Sequence, residues 1–392
     1  MSLCGHADAF INTTLGCISH ILPRTADSLS DTITGLLSLD IVDFRNIEAA
    51  RLTFSRGVNL ITGPNAAGKT SLLEAIYCLG RVRSFRTLDS NQLIRNECSG
   101  YRLVGRIGLK EGRIIPIGIE RQQRHFRVHL EGRAVRRLSD LASRFPIHIM
   151  AGDTANILNG GPRYRRQSLD WALFHVEHAY RDAWQRYARA LRQRNAALRS
   201  HAPVAQVSVW NPELVDAAEI LDSLRRRYLE NLEPHVRSEL QDLLPDMDLY
   251  IHYQSGWKKE LPLQEVLEKT LEKDCAHGYT HAGPHRADFM LREDKVSVQA
   301  RLSRGQQKTL ILGFLMGQIK LQHAMNVTPG AFLLDDLRSE LDSDHQARVL
   351  RNLSDLQVQV FVTAIDPDTQ HSGDWSVDKV FHVKHGVIQE VI

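Results

Sequence analysis

The chain has 392 residues, 43% hydrophobic and 24% charged, a composition ordinary for a globular protein of two or three domains. Its 49 Lys and Arg against 46 Asp and Glu leave a net charge of only +3, so any nucleic-acid surface must come from local clustering rather than overall charge. The five cysteines (Cys4, Cys17, Cys78, Cys98, Cys275) are scattered and form no CxxC pair, which argues against a zinc site and for a reducing, cytoplasmic compartment; no apolar run approaches a membrane span.

Residues 1–35 contain a mildly apolar stretch from Phe10 to Leu22, interrupted by Asn12, Thr13, Thr14, Ser19 and His20 and lacking a cationic flank. It reads as a loosely ordered extension or an early start codon, not a signal peptide. Alternating runs at 37–44 and 50–54 predict strands. The apolar run Val58–Thr62 then leads into Gly63-Pro64-Asn65-Ala66-Ala67-Gly68-Lys69-Thr70, which fits GxxxxGK[ST], and a helical pattern follows from Ser71. Glycines let backbone N–H groups close around phosphates, Lys69 reaches the β/γ-phosphates, and the Thr70 hydroxyl ligates Mg²⁺. Further alternating runs near 101–107, 113–119 and 125–130, with Gly112 and Gly132 at the turns, predict an antiparallel β subdomain.

From Pro162 the period changes to helical. Leu169, Leu173, Val176, Tyr180, Trp184, Tyr187, Leu191 and Leu198 form one stripe, predicting a helix over 168–199, roughly 45 Å long. A Pro-containing link and a second stripe, Ile220 to Leu240 with Pro234 inside, complete an antiparallel helical arm. The predicted divisions are 1–35, an extension; 36–162, the first half of a nucleotide-binding head; 163–278, the arm; and 279–392, the second half of the head. Arg181, Arg189 and Arg192 fall away from the apolar stripe, with Arg165 and Arg166 just before them and Arg81 and Arg83 after the loop helix. These are candidate contacts to DNA phosphates, although a charged helix face also serves simply as a solvated surface. His281 and His285 suit a structural loop better than a metal site, because Gly and Pro between them break a shared helix face. Trp171, Trp184 and Tyr187 read as arm core.

The apolar run Ala331–Leu334 ends in Asp335 and Asp336, one acid to orient Mg²⁺ and one to position the attacking water. Leu302-Ser303-Arg304-Gly305-Gln306 opens a helix, offering a hydroxyl and free N–H groups to an anion, or else a plain serine cap.

Together these pieces carry a resemblance. Leu302–Gln306 resembles the signature loop of ABC-type ATPases, Ser339-Glu-Leu-Asp342 looks like their D-loop, and Asp43-Phe-Arg45-Asn46 is similar to a segment of SMC-like heads. Gly160–Trp171, Leu191–Asn195, Gly278–Asp288 and Asp335–Asp342 resemble the RecF family specifically, from about residue 37 onward; Met150–Asn156 departs from that family's pattern. The resemblance implies an α/β fold: an ABC/SMC-like P-loop ATPase head with an antiparallel β subdomain and an inserted helical arm. It implies ATP and Mg²⁺ as ligands, with Arg45 and Asn46 joining residues 63–70 at the nucleotide and Thr70 and Asp335 at the metal. Lys69, Asp335 and Asp336 would be catalytic, and Ser303, Gly305 and Gln306 would reach the nucleotide from the second copy of an ATP-dependent homodimer. Weak, DNA-stimulated ATP hydrolysis is implied, with Thr363 where many ABC ATPases carry a switch histidine. So are binding to duplex, gapped and junction DNA, RecR and RecO as partners, and indirect action on RecA in repair, replication restart and SOS induction. A transporter subunit or a long-armed chromosome organiser fits less well: the arm is arginine-rich and far too short.

Overall fold

A computed structural model describes residues 34–110, 112–122, 125–135, 141, 144–294, 296–336, 343–365 and 377–391. The expected extension up to residue 33 and the segment Ser339–Asp342 lie outside these residues. In chain order, a hairpin of β1 (Gly35–Phe44) and β2 (Ile47–Thr53) precedes β3 (Val58–Thr62) and α1 (Lys69–Arg81). Then come β4 (Gly100–Gly108), β5 (Ile114–Gln122), β6 (His125–Leu130), β7 (Arg133–Ala134) and β8 (Ile147–Met150). The longer helices α2 (Pro162–Val176), α3 (His178–Arg199) and α4 (Asn211–Leu243) follow, then β9 (Leu249–Gln254), β10 (Asp288–Glu293) and β11 (Val296–Ser297). The remainder is α5 (Arg304–Ala324), β12 (Ala331–Leu334), α6 (Ser343–Ser354), β13 (Gln359–Thr363), β14 (Lys379–Lys384) and β15 (Val387–Glu390).

The central sheet has the order β15-β14-β3-β13-β12-β8, parallel except for β15 at one edge. β3, β12 and β13 are buried at every position, as strands covered on both faces must be. Alternation then sorts their side chains. Ile61, Leu333, Phe361 and Phe381 face a core shared with α1 and the antiparallel sheet β2-β1-β4-β5-β6-β7; Leu60, Phe332, Leu334, Val360 and Val362 face a second core shared with the arm and α5. Gly112 and Gly132, both at φ 76°, make the expected turns in conformations open to glycine at little cost.

The arm departs from expectation first in its leading helix. The helix expected over 168–199 is two helices, because Glu177 is extended (φ −127°, ψ 103°) between α2 and α3. That break lets the Phe174 ring pack edge-on against both Tyr180 and Trp184. α3 and α4 run antiparallel: Arg186 pairs with Glu213, and Arg194 bonds Asn211 further along α3 but earlier on α4. α4 passes through Pro234 as one 33-residue helix. β9, within the segment expected to be the arm, pairs with β10 of the segment expected to belong to the head, in the three-stranded sheet β11-β10-β9.

Polar bonds lock the arm's root. Arg194, fully buried, donates to Asp274 (2.8 Å), Thr280 (2.7 Å) and Asn211 (3.0 Å), while the other Asp274 oxygen takes His281 Nδ1 (2.7 Å). Tyr187 and His285 share a 2.5 Å hydrogen bond, and Arg225 reaches Tyr180, Asp170 and the Pro284 carbonyl. The two histidines are therefore structural, and no group of three or more His, Cys, Asp or Glu able to hold a metal occurs among the described residues. Burial pushes His285 down to about 4.

Candidate nucleotide site

Strand order builds the site. The C-terminal ends of β3, β13 and β12 lie side by side, the edge where parallel sheets receive ligands. They bring the glycine loop, Thr363 and Asp335 together around a cleft of about 880 Å³.

The loop owes its shape to close approaches. Gly63 sits at φ 140°, and a Cβ there would fall 2.2 Å from the Val383 carbonyl oxygen. Asn46 Nδ2 and the Gly386 N–H both donate to the Ala67 carbonyl, at 3.1 and 2.8 Å. The β1–β2 and β14–β15 turns thereby clamp the loop from two sides. No side chain caps α1 at Gly68, so the helix start presents backbone N–H groups to an anion. Lys69 Nζ folds back onto the carbonyls of Gly63 (2.6 Å) and Pro64 (3.0 Å). Partial burial lowers its pKa, against the opposing pull of Asp336 and Asp335.

Asp335 accepts the Thr70 hydroxyl, 3.2 Å from each carboxylate oxygen, and the Thr363 hydroxyl at 2.8 Å. Thr363 also accepts the Asp336 N–H (2.8 Å), and Lys308 of α5 donates to the Asp336 carbonyl (3.2 Å). Asp336 itself has φ 54°, the left-handed region, so its backbone is held from both sides in a conformation that costs energy. Thr70 and Asp335 offer a few hard oxygen donors next to a phosphate-binding loop, which suits Mg²⁺.

Arg45 lines the cleft, but its guanidinium is committed: Nε and Nη2 bond the two Glu74 oxygens at 2.8 Å, and Nη1 bonds the Gln92 carbonyl at 2.8 Å. These bonds brace the Arg45 side chain against the cleft wall. Sequence reasoning missed Glu74, fully buried and also bonded by Ser84; its one signal was an acid within the apolar run after the loop. It also missed the wall formed by Gln92, Ile94, Arg95 and Asn96, which carries no motif. Asn65, Ala66, Gly68, Lys69, Thr70, Asp335 and Asp336 do line the cleft.

Ser303, Gly305 and Gln306 do not line it. Ser303 is exposed and caps α5 in a reciprocal box: its Oγ accepts the Gln306 N–H (3.3 Å) and its N–H donates to Gln306 Oε1 (3.0 Å). Of the candidate DNA arginines, Arg83, Arg189 and Arg192 are exposed. Arg181 is half-buried and already partnered. Three others are engaged within the fold. Arg165 donates two hydrogen bonds to the Asp288 carboxylate (2.8 Å each), Arg166 donates to the Ala287 carbonyl (2.7 Å), and the Arg81 guanidinium stacks 3.7 Å from the Trp171 ring centroid. Counting arginines near a helix could not separate these from the exposed ones.

The fold and site define a P-loop ATPase head of the SMC type. Residues 35–389 match the family model described as RecF/RecN/SMC N terminal domain. The chain is 37% identical over 355 residues to the DNA replication and repair protein RecF of Yersinia pseudotuberculosis, covering 90% of this chain and 98% of that protein. It is 38% identical over 356 residues to RecF of Shewanella oneidensis, with the same coverage. A solved structure of the recombination mediator RecF with ATP, in the RecFOR pathway, superposes with a TM-score of 0.82 at 25% identity, over 92% of this chain and 98% of that one. The chain belongs to the RecF family. None of the helices among the described residues is long and apolar enough to cross a membrane.

Proposed function

We propose that the chain is an ATP-dependent recombination mediator of the cytoplasm. It binds duplex, gapped and single-strand–duplex junction DNA, works with RecR and RecO, and helps load RecA for repair, replication restart and SOS induction. The relatives' names and the ATP-bound RecF structure of the RecFOR pathway support this reading. ATP brings two copies together, each supplying Lys69, Thr70, Asp335 and Asp336 for its own nucleotide and Ser303 and Gly305 for its partner's. The observation that carries this is the separation within one chain: the cleft gathers the first set, while an exposed, capped helix start holds the second.

Lys69 leaves the loop carbonyls to meet the phosphates, and Thr363 keeps the Asp335 carboxylate turned toward Thr70. Mg²⁺, held by Thr70 and Asp335, would neutralise charge on the β- and γ-phosphates. Asp336, one methylene shorter than a glutamate, positions the attacking water poorly, so hydrolysis is weak, and DNA stimulates it. Arg83, Arg189 and Arg192 supply phosphate contacts that fall away with salt. Light scattering with and without ATP and DNA tests the reading: the chain is expected to dimerise with ATP, and Ser303→Arg to bind ATP yet stay monomeric. Normal dimerisation of that variant would refute the shared site.

A further inference from the structure

The helix α2 stands between head and arm, and its two sides are built differently. Toward the arm and β10 it is locked by directional bonds: Arg165 to Asp288, Arg166 to the Ala287 carbonyl, and Asp170 to Arg225 and Tyr180. Toward α1 and β8 it presents Trp171 and His175. The Trp171 ring lies under the Arg81 guanidinium, 4.9 Å from the His148 ring and 4.4 Å from the His175 ring. Among the described residues, neither the Trp171 indole nitrogen nor either His175 nitrogen has a hydrogen-bond partner. Ring-face contacts of this kind attract without fixing a register.

The head elements meeting here lead to the nucleotide cleft. Arg81 ends α1, whose first residues are Lys69 and Thr70. That helix is buried along Ser71–Gly80 and packed without slack at its end, where a Cβ on Gly80 would lie 2.6 Å from the Phe145 carbonyl oxygen. His148 lies on β8, paired directly to β12, which ends just before Asp335, and its Nε2 lies 2.9 Å from Oε1 of Gln322 on α5, the helix that Ser303 caps. Arg81 at the end of α1 and His148 on β8 thus meet on the Trp171 ring, and α5 joins them through the Gln322–His148 bond.

We propose that Arg81 and Trp171 form the sliding joint through which the phosphate loop and the arm sense each other's ligands. The pair are positioning residues. A rigid helix carries any displacement at the loop to Arg81, and the locked outer face of α2 passes it to the arm as a whole.

The inference rests on the proposed binding of both ATP and DNA, and its test separates the two. Coupling between binding sites is reciprocal, so a non-hydrolysed ATP analogue should tighten DNA binding by the same factor as DNA tightens analogue binding, within roughly 5–150-fold. In Arg81→Met, which keeps the stem and removes the charge, and in Trp171→Leu, both factors are expected to fall to about one. Each ligand measured alone should bind as in the wild type, and Trp171→Phe should retain most of the coupling. Wild-type factors in both disrupted variants would overturn the joint, as would loss of affinity for either ligand alone. If Trp171→Leu does not fold, Arg81→Met decides by the same criterion. A factor of one in the wild type would instead refute the proposed function.

Discussion

Carboxylates do opposite work in the cleft and at the root of the arm. Asp274 is fully buried, with one oxygen given to Arg194 and the other to His281. Asp335 is half-buried and, among the described residues, its carboxylate accepts from the hydroxyls of Thr70 and Thr363. A saturated acid fixes geometry; an acid bonded to neutral hydroxyls keeps its charge available to a cation. The same residue type thus serves as a rivet in one region and as a ligand in the other, and its partners decide which.

Removing a rivet should have the largest effect. Asp274→Ala leaves the Arg194 guanidinium buried without a carboxylate, so urea denaturation should show a loss of about 3–5 kcal/mol while folded molecules still bind ATP. A loss under about 1 kcal/mol would erase the contrast between the regions. In the cleft, Lys69→Met should lower ATP turnover by ~10²–10³-fold with an unchanged unfolding midpoint, since the ammonium meets charge on the transferring phosphate. Acid provides a subtler probe. Burial depresses His148 and His285 to about 4 from an ordinary 6.5, so the unfolded chain takes up their protons first. Their stabilisation is complete above pH 6.5 and drains away down to about pH 4, roughly 3 kcal/mol each. His285→Gln should flatten that fall; an unchanged acid limb would contradict it. The smallest effect concerns DNA. Reversing Arg189 and Arg192 to Glu should cut the slope of log affinity against log salt by about 2, whereas Arg165→Gln, which breaks a pair with Asp288, should leave it alone.

Legibility followed the same division. The loop from Gly63 to Thr70 could be read from sequence because its geometry tolerates few residues: Gly63 has a positive φ and no room for a Cβ. Asp335 and Asp336 were legible as the end of an apolar strand, and the antiparallel sheet as alternating runs. The break at Glu177 was not, because the apolar stripe continues through it and tertiary packing around Phe174 and Tyr180 decides it. Glu74, Arg45 and Arg81 were illegible in role, since their partners are 29, 29 and 90 positions away or approach from other elements. Charge can be read from a sequence, but the partner that neutralises it is a property of the fold.

Mixing two inactive chains tests the shared site most directly. Lys69→Met lacks the phosphate lysine and Ser303→Arg the capped helix start, so neither alone should turn over ATP. If each nucleotide is held by both copies, a mixed dimer restores one complete site, from the Lys69 of one chain and the Ser303 of the other. Recovery of ATP turnover on mixing is the expected result; a mixture as inactive as its components would contradict the account.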